Sequence, residues 1–274
     1  MESELKTYAL ITGGSSGIGR SLAMELASRG YNIAIVALPN TGQKEVNRDI
    51  KAAFNVCVKS LEINMLEKDA ISVISDWIES EKMNLQVLVN NAGIGYAAKF
   101  DTLEDSFIST VIDLNIKSTT VLSHAMIPFL KKQSHSYILN LSSAAAFYSM
   151  PYKSVYAASK RYVLDFSTSL REELSSFNIG VTAVCPAGVI TSEEIRERIK
   201  ATGYVLRMAA LEPSQVAKES IDAMLKKKAK IVPGKLAKMI SWTRFIIPQR
   251  LQRKIIAKNL RGVELENKIA ELLN

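Results

Sequence analysis

Apolar positions along this chain follow two alternating rhythms. Short runs at residues 31–37, 55–63, 85–89, 136–141 and 179–185 have the length and β-branched content of strands, and residues 6–12 predict a first one. Between them the apolar spacing changes to three and four. Residues 20–29 place Leu22, Ala23, Leu26 and Ala27 on one helical face, and residues 68–78 do the same with Ala70, Ile71, Ile74, Trp77 and Ile78. Further helices are predicted over 42–54, over a long stretch from 103 to 130, and over 154–176. Strands that alternate with helices predict crossover connections and a parallel sheet covered on both faces, an α/β doubly wound architecture.

In such sheets ligands bind beyond the carboxyl ends of the strands. The unusual residues of this chain stand there. Gly13-Gly14-Ser15-Ser16-Gly17-Ile18-Gly19 follows the first strand, Asn90-Asn91-Ala92-Gly93 the fourth, Ser142-Ser143 the fifth and Pro186-Ala187-Gly188 the sixth. The glycines allow a tight turn and close approach of a phosphate, which the following helix N-terminus favours. The spacing is G-x-x-x-G-x-G, not the G-x-G-x-x-G of the common dinucleotide fingerprint. On the helix at 154–176, Tyr156 and Lys160 are four residues apart and share a face. An ammonium beside a phenol favours the phenolate, so the pair is a candidate proton donor and acceptor near neutral pH.

Thr12-Gly13-x-x-x-Gly17-x-Gly19, Asn90-Asn91-Ala92-Gly93, Asn115, Ser143, Tyr156-x-x-x-Lys160 and Pro186-x-Gly188-x-x-Thr191 together resemble the short-chain dehydrogenase/reductase family. Order and spacing match over roughly residues 5–235, and Ser143 lies thirteen residues before Tyr156. The resemblance implies a Rossmann-like fold and an NAD(P)(H)-dependent oxidoreductase that interconverts a carbonyl and an alcohol. It makes Tyr156 the general acid and base. Lys160 tunes Tyr156 and binds the nicotinamide ribose, Ser143 holds the substrate oxygen, with Ser142 its nearest rival, and Asn115 holds a water that relays protons to Lys160. The glycine turn, with Ser15, Ser16 and Ile18, would cradle the pyrophosphate. Asn91, Ala92 and Gly93 would border the adenosine. Pro186, Gly188, Val189 and Thr191 would line the nicotinamide, although the family more often has Pro-Gly where this chain has Pro186-Ala187. Glu62-Ile63 stands where an acidic residue contacts the adenine, with Glu in place of the commoner Asp.

The second strand ends near Ala37 and continues as Leu38-Pro39-Asn40. An acid there would bind a ribose 2′-hydroxyl and repel a 2′-phosphate. None is present, and Asn40, Thr41 and Lys44 can reach a phosphate, so NADP(H) is favoured over NAD(H).

Composition adjusts this picture at the C-terminal end. The length of 274 residues suits one Rossmann-like cofactor-binding and catalytic domain over 1–235, with a basic helical extension over 236–274. The formal charge is +8, yet residues 1–199 carry 19 basic and 21 acidic side chains, and residues 200–274 carry 16 and 6. The excess is therefore local. Lys235, Lys238, Arg244, Arg250, Arg253, Lys254 and Lys258 mix with Met239, Trp242, Phe245, Leu251 and Ile255, and Pro248 divides the stretch into two helices. That mixture fits peripheral contact with a membrane surface over 236–260; the competing reading packs it over the cleft or a partner subunit. A nucleic-acid partner is not expected. Cys57 and Cys185 fall in predicted strands and are read as reduced core residues, which fits a cytoplasmic chain with membrane association at most at the surface. His124 and His135 have no companions at metal spacing, so no metal is expected. No signal-peptide pattern is seen.

Residues 191–211 are expected to form the substrate loop, and Tyr148, Met150 and Tyr152 to face an apolar or lipid-like substrate. Homo-oligomers are common in the family and one is expected here. The rival to an enzyme is a non-catalytic nucleotide-binding regulator, or a membrane-surface adaptor, on the same fold.

Overall fold

A computed structural model of the chain describes residues 7–200, 207–242 and 247–260. Seven strands pair in parallel in the order β3-β2-β1-β4-β5-β6-β7. They are β1 (Tyr8–Thr12), β2 (Asn32–Ala37), β3 (Val58–Glu62), β4 (Leu85–Asn90), β5 (Ser136–Leu141), β6 (Ile179–Val184) and β7 (Lys230–Ile231). The strand order reverses between β1 and β4, which opens a crevice at their carboxyl ends.

Side-chain alternation along the central strands builds two cores. Ala9, Ile11, Ile33, Ile35, Val87 and Val89 face α1 (Gly17–Ser28), α2 (Gln43–Ala53) and α8 (Pro213–Leu225), where they meet Leu22, Leu26, Ile50 and Ile221. Leu10, Ala34, Val36, Leu88 and Ile138 face the opposite layer, made by α3 (Ala70–Ser80), α5 (Ser118–Leu130) and α6 (Ser154–Leu174) through Ile74, Ile78, Leu122, Met126 and Leu170. Strands buried on both faces explain why their sequences read as near-continuous apolar runs.

Two expectations change. The predicted helix from 103 to 130 is three pieces: α4 (Asp105–Ile112), a π-helical turn at Asp113–Lys117, and α5. Cys57 is exposed and precedes β3, because β3 is an edge strand that starts only at Val58; Cys185 is buried one residue past β6. The last strand is two residues long. The C-terminal region contains α9 (Lys235–Trp242) and α10 (Gln249–Leu260), while α7 (Glu193–Lys200) lies on the expected substrate loop. Arg244, Phe245, Ile246 and the apolar residues Tyr204, Val205 and Leu206 lie outside the described residues, as does 261–274. Among the described residues, no helix is long and apolar enough to cross a membrane.

Candidate active site

The crevice is a cleft of about 550 Å³ bounded by the ends of β1, β2, β4 and β5 and by the first turn of α6. Its floor is tied by hydrogen bonds. Asn91 Nδ2 donates to the carbonyls of Thr12 and Gly13 at 2.9 and 3.0 Å, and Thr12 Oγ1 accepts from the N–H groups of Asn91 and Ala92. A buried chain behind it runs from Asn90 Nδ2 to Ser123 Oγ and Asn140 Oδ1, then from Asn140 Nδ2 to Ser167 Oγ. Asn140 and Ser167 carry no motif signal of their own. Only the pairing of β4 with β5 and the packing of α6 reveal them.

Gly13, Ser15, Ser16, Gly17, Ile18 and Gly19 all line the cleft, as do Ile63, Asn91, Ala92, Gly93, Ser143, Tyr156, Lys160, Pro186, Val189 and Thr191. The turn fits a dinucleotide. A Cβ on Gly19 would stand 2.0 Å from the Gly13 carbonyl oxygen, so backbone alone occupies the space that a side chain would fill. Ser16 caps α1 without a side-chain hydrogen bond and the first turn carries no acid, which leaves that helix end receptive to an anion.

Two expected contacts fall outside the wall. Glu62 is exposed at the end of edge strand β3, and the wall is made instead by Ile63, Asn64, Met65 and Leu66. Gly188 is also off the wall; its carbonyl accepts from Leu211 N–H at 3.0 Å, and Val189 bridges Leu211 in parallel. Tyr148 and Met150 line a separate cleft of about 940 Å³ between residues 146–151, α6 and α10. Tyr148 is turned there because its hydroxyl donates to Ile240 O at 3.2 Å. Tyr152 lines neither cleft; it adopts φ +64° and its carbonyl accepts from Ala98 N–H.

Ser143, Tyr156 and Lys160, the candidates for proton transfer, line the same cleft. Ser142 donates to the Lys160 carbonyl at 2.7 Å, so its hydroxyl serves the backbone, whereas Ser143 Oγ accepts only a local N–H, from Ala145, and lies beside the Tyr156 phenol. This separates the two serines that the sequence left as rivals. Lys160 Nζ donates to Leu141 O at 2.9 Å and stands 5.9 Å from the Tyr156 ring centroid. Burial pushes the Lys160 ammonium down to about 8. Burial also raises the Tyr156 phenol, and the Ser143 hydroxyl acts in the opposite direction. The expected depression of Tyr156 by Lys160 does not arise: desolvation dominates, only the Ser143 hydroxyl acts against it, and the phenol is held protonated at neutral pH.

Asn115 sits in the π-helical turn. Its Nδ2 donates to Ile94 O and Ser159 Oγ, and its Oδ1 accepts from Ile94 N–H, at 2.9 to 3.0 Å. Both amide hydrogens are thus used to clamp the 94 segment to α6, a task not foreseen beside the water relay. A Cβ on Gly93 would stand 2.7 Å from Asn115 Oδ1 and 3.2 Å from Lys160 Nζ, so glycine is required between them. Two neighbours went unnoticed in the sequence: Gly95 packs on the Tyr156 ring, and Lys153, lowered by burial, places its Nζ 6.0 Å from the ring centroid.

Residues 7–201 match the family model for short chain dehydrogenases. The very-long-chain 3-oxoacyl-CoA reductase of Rattus norvegicus is 35% identical over 191 residues, 68% of this chain; the chain spans 61% of the length of that relative. A structure described for 7beta-hydroxysteroid dehydrogenase stereoselectivity superposes with a TM-score of 0.82 at 16% identity, covering 92% of this chain and 96% of the other. L-Sorbose reductase of Gluconobacter frateurii, complexed with NADPH and L-sorbose, gives 0.75 at 21%, covering 84% and 97%. The chain belongs to the short-chain dehydrogenase/reductase family.

Proposed function

We propose that this chain is an NADP(H)-dependent oxidoreductase that reduces the carbonyl of an apolar, lipid-like substrate to an alcohol. The observation that carries it is the convergence of Ser143, Tyr156 and Lys160 on the cleft that the glycine turn also lines. A bound nicotinamide supplies the hydride to the carbonyl carbon. Ser143 donates a hydrogen bond to the carbonyl oxygen and steadies the charge that builds there. Tyr156, protonated at neutral pH by its burial, gives its phenolic proton to that oxygen, and the product is the alcohol. Gly95 packs against the Tyr156 ring, and Asn115, which ties the 94 segment to Ser159 of α6, is a positioning residue. In the reverse direction the phenolate takes the hydroxyl proton.

The 3-oxoacyl-CoA reductase relative supports a long acyl chain bearing the carbonyl. NADP(H) is supported by a β2 end with no acid: Val36, Ala37, Leu38 and Thr41 form that part of the wall, and Lys44 is exposed just beyond it. The same fold holds NADPH in the sorbose reductase. Val121 and Tyr162, exposed on α5 and α6, support a homo-oligomer packed through those helices.

Tyr156→Phe tests the assignment. Removing a general acid is expected to lower turnover on a 3-oxoacyl thioester by about 100- to 10,000-fold, while the NADPH-induced thermal shift is kept. Retained turnover would place the proton donor elsewhere, and an enzyme is separated from a nucleotide-binding regulator by whether the unmodified chain turns over at all.

A further inference from the structure

The last two helices turn the wrong side chains to solvent for an ordinary surface pair. In α9, Ala237 and Ser241 are buried while Met239 and Trp242 are each 64% exposed. In α10, Gln252 is buried while Leu251 and Ile255 are 50% and 46% exposed. A helix packed on a globular core turns its large apolar groups inward; Leu236, Ile240, Ile256 and Leu260 are partly buried in this way, whereas Met239, Trp242, Leu251 and Ile255 are not.

The outward apolar residues are also interleaved with cations. Lys235, Lys238, Met239 and Trp242 recur at i, i+3, i+4 and i+7, so they form one stripe. Leu251, Lys254, Ile255 and Lys258 repeat that spacing on α10. Between Asp222 and Glu264 the chain contains twelve lysines and arginines and no acid.

We propose that α9 and α10 form a docking surface for an anionic lipid bilayer. Lipid headgroups offer the negative charge, and the boundary beneath them accepts Met239, Trp242, Leu251 and Ile255, with Trp suited to that depth. A nucleic acid would reward the cations and leave the apolar residues in water. A second copy of the same face would set like charges against each other. The surface adjoins the segment that leads into Tyr156: Tyr148 donates to the backbone of α9, and Gln249 and Gln252 of α10 share a cleft wall with Met150 and Pro151.

Co-sedimentation of the full chain with phosphatidylglycerol and with phosphatidylcholine vesicles, at about 0.1 M salt, tests this without reference to catalysis. The chain is expected to pellet with the anionic vesicles and not with the zwitterionic ones. Lys238→Gln combined with Lys254→Gln and Lys258→Gln should weaken binding by about 100-fold, since each cation near an anionic surface contributes about fivefold. Met239→Ser, Trp242→Ser, Leu251→Ser and Ile255→Ser together should also release the chain, with its melting temperature kept because all four are exposed. No pelleting with anionic vesicles overturns the proposal. So does binding that the serine variant retains in full, which would mark a purely electrostatic surface of the nucleic-acid type. A dimer that the serine variant dissolves, with no vesicle binding, would assign the face to a second copy.

Discussion

Burial acts on Tyr156 and Lys160 in the same chemical sense although it moves their pKa values apart. Each is pushed toward its neutral form, the phenol upward and the ammonium down to about 8 from 10.5. The consequence for stability follows from proton counting. Between pH of about 8 and 10.5 the unfolded chain still holds the Lys160 proton that the folded chain has released, so folding becomes more favourable as pH rises through that window. Below it both states are protonated and the penalty on the buried charge is present in full. Lys160→Met keeps the stem and removes the titration. The unfolding free energy of the native chain, measured in urea relative to this variant, is expected to improve by on the order of 2 kcal/mol between pH of about 7.5 and 9.5. A difference that stays flat would mean that Lys160 is solvated in the folded state. The same burial explains why the Tyr–Lys spacing was readable in the sequence while its tuning was not. Spacing sets which face the two groups share, whereas the balance between desolvation and charge depends on what covers that face.

The glycine turn and α1 act as one element, and its geometry separates two kinds of glycine. Gly19 has no room: an added Cβ meets the Gly13 carbonyl oxygen at 2.0 Å and Asn91 Nδ2 at 2.5 Å. Gly30, past the other end of α1, has φ +88° and nothing within 4 Å of an added Cβ. Gly19→Ala must therefore displace the turn from the end of β4, and it is expected to abolish the NADPH-induced thermal shift. Gly30→Ala should cost about 1 kcal/mol in backbone strain and leave nucleotide binding intact. Equal loss in both variants would show that the turn does not hold the nucleotide. The strands, helices and motif turns were legible because periodicity and glycine placement are local. The π-helical turn at Asp113–Lys117 was not, since one extra residue in a turn scarcely disturbs an apolar period, and it is this turn that carries Asn115. Cys57 was misplaced for a related reason. It borders the edge strand β3, where pairing on one side leaves alternation a poor guide to burial.

At the scale of the molecule, the cleft is assembled from both sides of the switch point, so a bound nucleotide ties together elements far apart in the chain. The wall takes residues from the ends of β1 and β2, from the segment after β3, from the ends of β4 and β5, from α6 and from the segment after β6. A ligand that binds only the folded state at 100 times its dissociation constant adds about 2.7 kcal/mol to stability. For a chain of this size that corresponds to a rise in melting temperature of roughly 5–10 °C. The two nicotinamide cofactors differ only by the 2′-phosphate, which would meet the end of β2. There the wall offers Ala37, Leu38 and Thr41 and no carboxylate, and the first turn of α2 carries Lys44 and Glu45, both exposed. Each tenfold preference for the phosphate is worth about 1.4 kcal/mol, or roughly 3–6 °C at equal cofactor concentration. NADPH is therefore expected to raise the melting temperature more than NADH, and Lys44→Glu to shrink that gap while leaving the NADH response unchanged. A larger shift with NADH in the native chain would overturn the preference and leave the proton-transfer assignment standing, because Ser143, Tyr156 and Lys160 follow β5 or lie on α6, not at the end of β2.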